Sequence, residues 1–157
     1  MKTASQIWKN KTAFKLLEVF LKNPTKEFYE LEIKKKSGLS TGATNKYMKQ
    51  LVKEKLILFK KKGKMNFYKL NRNYEIVKQI KKLYNLSSNL AKELVKLAKK
   101  LNIKIYLFGS VARGEDIEDS DWDLLIIGDK NINIIENELS KIKKKYNVKI
   151  KYLIFRN

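Results

Sequence analysis

Residues 107–126, LFGSVARGEDIEDSDWDLLI, constrain this chain more than any other stretch. Residues 103–108 form a short apolar run rich in β-formers, the pattern of a buried strand. Gly109 ends it, where a missing side chain lets backbone approach a phosphate. Ser110 opens a helical turn, and a helix start offers unpaired N–H groups and the positive end of a dipole. Arg113 adds a planar positive fork. A second strand is expected over 121–127. Asp121 and Asp123 stand at i and i+2 on it, so they share a face, with Cα atoms roughly 6.5–7 Å apart. Trp122, between them, points to the opposite face. Two carboxylates so placed can hold a pair of hard cations about 3.5–4 Å apart. Either half alone fits a simpler reading: a capped tight turn for the first, a solvated acidic turn for the second. Their occurrence together, between two apolar runs, favours a phosphate-and-metal site.

Gly109, Ser110, Ala112, Arg113, Gly114, Ser120, Asp121, Asp123 and Leu124 keep fixed spacing without a gap. This set resembles the active-site signature of minimal nucleotidyltransferases of the DNA polymerase β superfamily. The resemblance implies that Asp121 and Asp123 hold Mg2+. It also implies that Gly109, Ser110, Arg113 and Ser120 bind a nucleoside triphosphate, as ligand or substrate. Active members of that family carry a third carboxylate on the next strand, in a pattern like hDhh with h apolar. Here that strand reads VKIKYLIF, and Lys149 or Lys151 stands where Asp is expected. No Asp or Glu follows Glu138. The fold pattern is therefore present while the catalytic set is incomplete.

The rest of the chain has a different character. Residues 1–102 carry 26 Lys and Arg against 7 Asp and Glu, whereas residues 103–157 carry 10 against 9. The net charge of +20 thus sits almost wholly in the first part. Such asymmetry points to a polyanion, most often nucleic acid. With no Cys and no His, disulfides, Cys/His zinc sites and histidine general bases are excluded. No run of eighteen apolar residues is present, so no membrane span is expected, and the first residues lack the apolar segment of a signal peptide. A cytoplasmic location is expected.

Apolar spacing predicts helices over 12–21, 28–36 and 41–55, the second with Leu31 and Ile33 inward and the third capped by Ser40. The outer face of the third shows Thr41, Gly42, Asn45, Lys46, Lys49 and Gln50, groups suited to base edges and phosphates. Two β-like runs, 56–60 and 65–70, flank Lys61, Lys62, Gly63 and Lys64, a hairpin signal. Three helices followed by a basic hairpin resemble a winged helix-turn-helix domain. That resemblance implies that Thr41, Asn45, Lys46, Lys49 and Gln50 meet double-stranded DNA in the major groove, and that Lys61, Lys62 and Lys64 contact phosphates.

Residues 73–102 read as a helical connector. Ile76, Leu83, Leu90 and Leu97 recur every seven residues, as do Ile80, Ser87, Leu94 and Leu101. Two readings remain open: one long helix pairing with its twin in a homodimer, or two helices, about 74–84 and 88–101, packed within the chain. After the signature, a helix is expected over 132–145 and a strand over 148–155.

The expected fold is two-domain α+β. A winged helix over 1–72 leads through the connector 73–102 to an α/β nucleotidyltransferase-like domain with a small mixed sheet over 103–157. The expected function is DNA binding in transcriptional regulation, with homodimerisation and a second domain that binds nucleotide and is weakly active or inactive. The alternative is a Mg2+-dependent enzyme that transfers a nucleoside monophosphate to a hydroxyl of a protein or small molecule. The resemblance extends to antitoxin components, which implies a helical toxin-type protein partner.

Overall fold

A computed structural model describes residues 10–156. The extreme amino terminus, read above as lacking an apolar leader, lies outside the described residues. The chain divides into two compact units, Met1–Val77 and Lys78–Asn157.

In the first unit, α1 (Lys11–Leu21) leads to β1 (Phe28–Tyr29), α2 (Glu30–Ser37), α3 (Thr41–Lys53), β2 (Ile57–Lys62) and β3 (Met65–Leu70). The three strands form an antiparallel sheet in the order β1-β3-β2. Asn10 caps α1 by accepting from the Thr12 and Ala13 N–H groups, and Ser40 caps α3 by accepting from Ala43 N–H. The core is built from Leu16, Leu17 and Phe20 of α1, Phe28, Ile33, Met48 and Leu51. The Phe20 and Phe28 rings meet edge to face at 5.6 Å.

Two sequence expectations need correction here. The second helix does not start at residue 28. Phe28 and Tyr29 pair with Tyr68 and Phe67 as a short strand, and the helix begins at Glu30. Only Ile33 of the expected inward pair is buried, and Leu31 is exposed. Thr44 is buried and donates its hydroxyl to the Ser40 carbonyl, a core position that a purely apolar stripe overlooks.

Helix α4 (Glu75–Leu86) crosses the boundary between the units, and α5 (Asn89–Leu101) follows after a break at Ser87 and Ser88. Ser88 caps α5 by accepting from Ala91 N–H. Leu90, Leu94, Leu97 and Leu101 lie in the core of the second unit together with Leu124, Ile126, Ile135, Leu139 and Ile150. Ile80 of the repeat is buried as well, whereas Ile76 and Leu83 are exposed, so the repeat is intramolecular packing mainly in α5, and the long-helix reading gives way to the two-helix one.

The second unit continues with β4 (Lys104–Phe108), α6 (Gly109–Arg113), β5 (Trp122–Ile127), α7 (Ile132–Tyr146) and β6 (Ile150–Phe155). The sheet order is β4-β5-β6, antiparallel between β4 and β5 and parallel between β5 and β6. It is the expected small mixed sheet. Helix α7 supplies the crossover that a parallel pair requires. Ile150, Leu124 and Ile126 turn inward among the residues of α5 and α7, so the sheet has one covered face.

Candidate nucleotide site

The site forms where β4 ends and β5 begins. Strand pairing sets Phe108 opposite Asp123 and Asp123 opposite Lys151. Trp122 faces the other way. With Leu107, Leu124 and residues of α5 it lines an apolar cavity of about 560 Å3. Asp121 and Asp123 therefore share the outward face, as their spacing predicted.

Gly109 is required at the turn between β4 and α6. Its φ is +74°, and a Cβ there would lie 2.1 Å from Asp123 Oδ2. The glycine lets the backbone that opens α6 come up against a carboxylate. Gly114, at φ +70°, closes α6, and a Cβ on it would lie 2.1 Å from the Lys78 carbonyl oxygen. The two glycines fix the turn between the acidic strand and the backbone of α4.

Helix α4 holds this turn with polar groups as well. Asn85 donates to the Val111 carbonyl at 3.1 Å and to Asp116 Oδ1 at 2.7 Å. Lys81 pairs with Asp116 at 2.8 Å, and all three side chains are buried. Lys78 pairs with Glu115 at 2.8 Å, and Glu115 also accepts from Arg113 Nε at 2.8 Å. Hydrogen bonds from Lys78 and Arg113 pull the Glu115 carboxyl down to about 2. Sequence reasoning missed this clamp. Its visible trace was the acidic pair Glu115-Asp116 directly after Arg113-Gly114.

The predicted residues come together unevenly. Gly109 and Asp123 touch, and Asp121 lies two residues before Asp123 on the same face. Arg113 is exposed and held by Glu115. Ser120 Oγ accepts from Ile117 N–H at 2.9 Å, which shapes the loop into β5. Lys151 Nζ lies 2.7 Å from Asp121 Oδ2, with side-chain exposures of 73% and 24%. The Lys151 ammonium, with Lys149 adding a smaller effect, holds the Asp121 carboxyl below its ordinary range. Asp121 in turn raises the Lys151 ammonium, and Asp123 adds to that. Lys151, opposite Asp123 and bonded to Asp121, is thus the lysine that meets the acidic pair directly.

No group of three or more His, Cys, Asp and Glu side chains able to hold a metal occurs among the described residues. Two carboxylates on one face still fit Mg2+, which is commonly bound through one or two carboxylates with substrate phosphates and water completing its shell. Asp121 and Asp123 are the residues that would hold it, once the Lys151 contact gives way.

In the first unit, Thr41, Asn45, Lys46 and Lys49 are exposed on α3, and Gln50 is half-buried. Lys61 and Lys64 are exposed in the hairpin. Lys62 differs from them: it is ion-paired with Glu27, and its ammonium lies 4.7 Å from the Phe67 ring centroid.

Residues 87–154 match the family model of the nucleotidyltransferase domain, and this match lies wholly within the second unit. A Methanocaldococcus jannaschii protein, provisionally named a protein adenylyltransferase, is 43% identical over 51 residues. That match covers 32% of this chain and 51% of the relative, so the chain spans about half the length of the curated relative. No solved structure matches significantly.

Proposed function

We propose that residues 87–154, which match the nucleotidyltransferase family model, bind Mg2+–triphosphate at Asp121 and Asp123 but transfer nucleotide slowly, within a chain that regulates transcription by binding DNA. That family implies a nucleoside triphosphate substrate and typically Mg2+. The observation that carries the slow-transfer reading is the 2.7 Å contact between Lys151 and Asp121. In transfer, an acceptor hydroxyl oxygen bonds to the α-phosphorus, pyrophosphate leaves, and the hydroxyl proton passes to a base. Lys151 opposes this twice. Its charge competes with Mg2+ for Asp121, and as an ammonium it accepts no proton. Arg113 and the turn at Gly109 and Ser110 act on the phosphates and do not depend on a third carboxylate.

The DNA reading rests on the first unit. Its order of helix, strand, two helices and hairpin suits a winged helix, with the exposed residues of α3 for the major groove. Lys61 and Lys64 then serve as the phosphate contacts of the wing. Lys62 is diverted to Glu27.

A second reading is favoured by the name of the M. jannaschii relative: active transfer of AMP to a protein hydroxyl, with Lys151 displaced when the triphosphate arrives. Incubation of the full chain with labelled ATP, Mg2+ and candidate acceptor proteins separates the two. Slow or undetectable labelling is the expected result. Rapid labelling that disappears in Asp121→Asn/Asp123→Asn favours the active enzyme.

A further inference from the structure

The sheet of the second unit has a second face. Strand pairing arranges it in three rows, of which the first is Phe108, Asp123 and Lys151. The middle row is Tyr106, Leu125 and Leu153, and the third is Lys104, Ile127 and Phe155. Four large apolar side chains stand open on it: Tyr106 is 50% exposed, Phe108 44%, Leu153 56% and Phe155 55%. Half of a large side chain's area is about 100 Å2, so together they expose roughly 300–400 Å2. A patch of that size on one face commonly marks an interaction site. Its outline is roughly 13 Å along the strands and about 10 Å across them. One helix, roughly 10–12 Å across, or one extended segment covers it.

The corners of the face identify the occupant. Phe108 and Phe155 stand on one diagonal, Lys104 and Lys151 on the other. Exposed Lys149 adds a charge beside Lys151. Lys104 has no ion pair among the described residues. A second copy of this chain does not complement that pattern. Stacked about a two-fold axis along the strands, it sets Asp123 against Asp123. Stacked about an axis across them, it sets Lys104 against Phe108 and leaves Lys104 without an anion, whereas Lys151 already has Asp121. Nucleic acid would bring its phosphates up against Asp121 and Asp123 beside the first row, so it suits the face less well than a protein segment. A protein segment with an apolar strip and acidic residues at its flanks satisfies both the apolar middle row and Lys104.

We propose that this outward sheet face docks a partner protein through such a segment and holds it beside Asp123. The proposal deepens the nucleotide reading by giving that site a partner of stated chemistry, and it rests on that reading only for what the docked partner experiences. A partner hydroxyl brought to the first row is an acceptor; a partner without one covers the site.

The probe is a displayed library of random 16-residue peptides, selected on the immobilised full chain. The enriched peptides are expected to combine aromatic or aliphatic residues with Asp and Glu. Synthetic versions should bind Tyr106→Ser/Leu153→Ser at least tenfold more weakly than the parent chain, and Lys104→Glu severalfold more weakly. These residues lie outside the triphosphate turn and the acidic pair, so Mg2+–ATP binding by calorimetry should persist in both variants and show that they are folded. Enriched peptides that are basic, or that bind all three proteins equally, overturn the proposal. So does light scattering that finds a dimer dissociated by Tyr106→Ser/Leu153→Ser, because the occupant is then a second copy. Failure of Mg2+–ATP to bind the parent chain, with peptide docking intact, removes the nucleotide reading and leaves the surface.

Discussion

Lys151 is the cation that meets the acidic pair. Its ammonium, 2.7 Å from Asp121, competes with a metal ion for that carboxylate, and its exposure lets water screen the pair. Replacing Lys151 with Asp places a third carboxylate opposite Asp123 and releases Asp121. Nucleotide transfer, followed with labelled ATP, is expected to rise in Lys151→Asp by about 10²–10⁴, the range over which a positioned general base acts. Lys151→Ala frees Asp121 without adding a base, so it should tighten Mg2+-dependent binding and change transfer less. Equal and unchanged rates in both variants would show that Lys151 is not the obstacle. Glu115 offers a test by pH. Its folded carboxyl titrates near 2, below its ordinary value of 4.5, so it stabilises the fold above that ordinary value and loses the contribution as pH falls towards 2. Melting curves of Glu115→Gln should therefore lie below those of the parent chain at neutral pH, and the gap should close between about pH 4.5 and 2.

At the level of elements, the turn is set from two sides: by β5 through Gly109 and by α4 through Gly114. Gly114→Ala would force a Cβ to 2.1 Å from the Lys78 carbonyl at φ +70°. Thermal unfolding is expected to show a loss of about 2 kcal/mol or more. Gly109→Ala carries the same left-handed strain at φ +74° but meets a movable carboxylate rather than backbone, so it should destabilise less than Gly114→Ala and also weaken Mg2+-dependent nucleotide binding. The two strands, the turn and the shared face of Asp121 and Asp123 were legible in the sequence because each follows from local periodicity. The hold of α4 was not. Lys78 and Glu115 are 37 residues apart, Asn85 and Asp116 are 31 apart, and both helical residues read as ordinary members of a basic amphipathic helix. The choice between Lys149 and Lys151 needed strand register, which spacing alone leaves open by one step of two residues. The helix start was misplaced because Phe28 and Tyr29 pair with β3, which is distant in sequence, and Leu31 was misplaced because it stands two residues from Ile33, so a helix turns only one of them to the core.

For the whole molecule, the net charge divides as +13 over the first unit and +7 over the second, and each unit has its own test. If the first unit binds duplex DNA, log affinity should fall with log salt by about 0.9 for each phosphate neutralised. In gel shifts, Lys61→Ala/Lys64→Ala should weaken binding to every sequence alike, and Lys62→Ala less, because Glu27 already holds Lys62. Asn45→Ala should instead alter sequence preference. Binding that ignores salt and these substitutions would remove the DNA reading while leaving the second unit untouched. The central claim concerns that second unit: that Asp121 and Asp123 bind nucleotide through Mg2+ despite Lys151. Titration calorimetry of the full chain with ATP tests it most directly. The account predicts binding that requires Mg2+ and weakens at least tenfold in Asp121→Asn/Asp123→Asn. Binding that is absent, or that survives both the removal of Mg2+ and the double substitution, would contradict it.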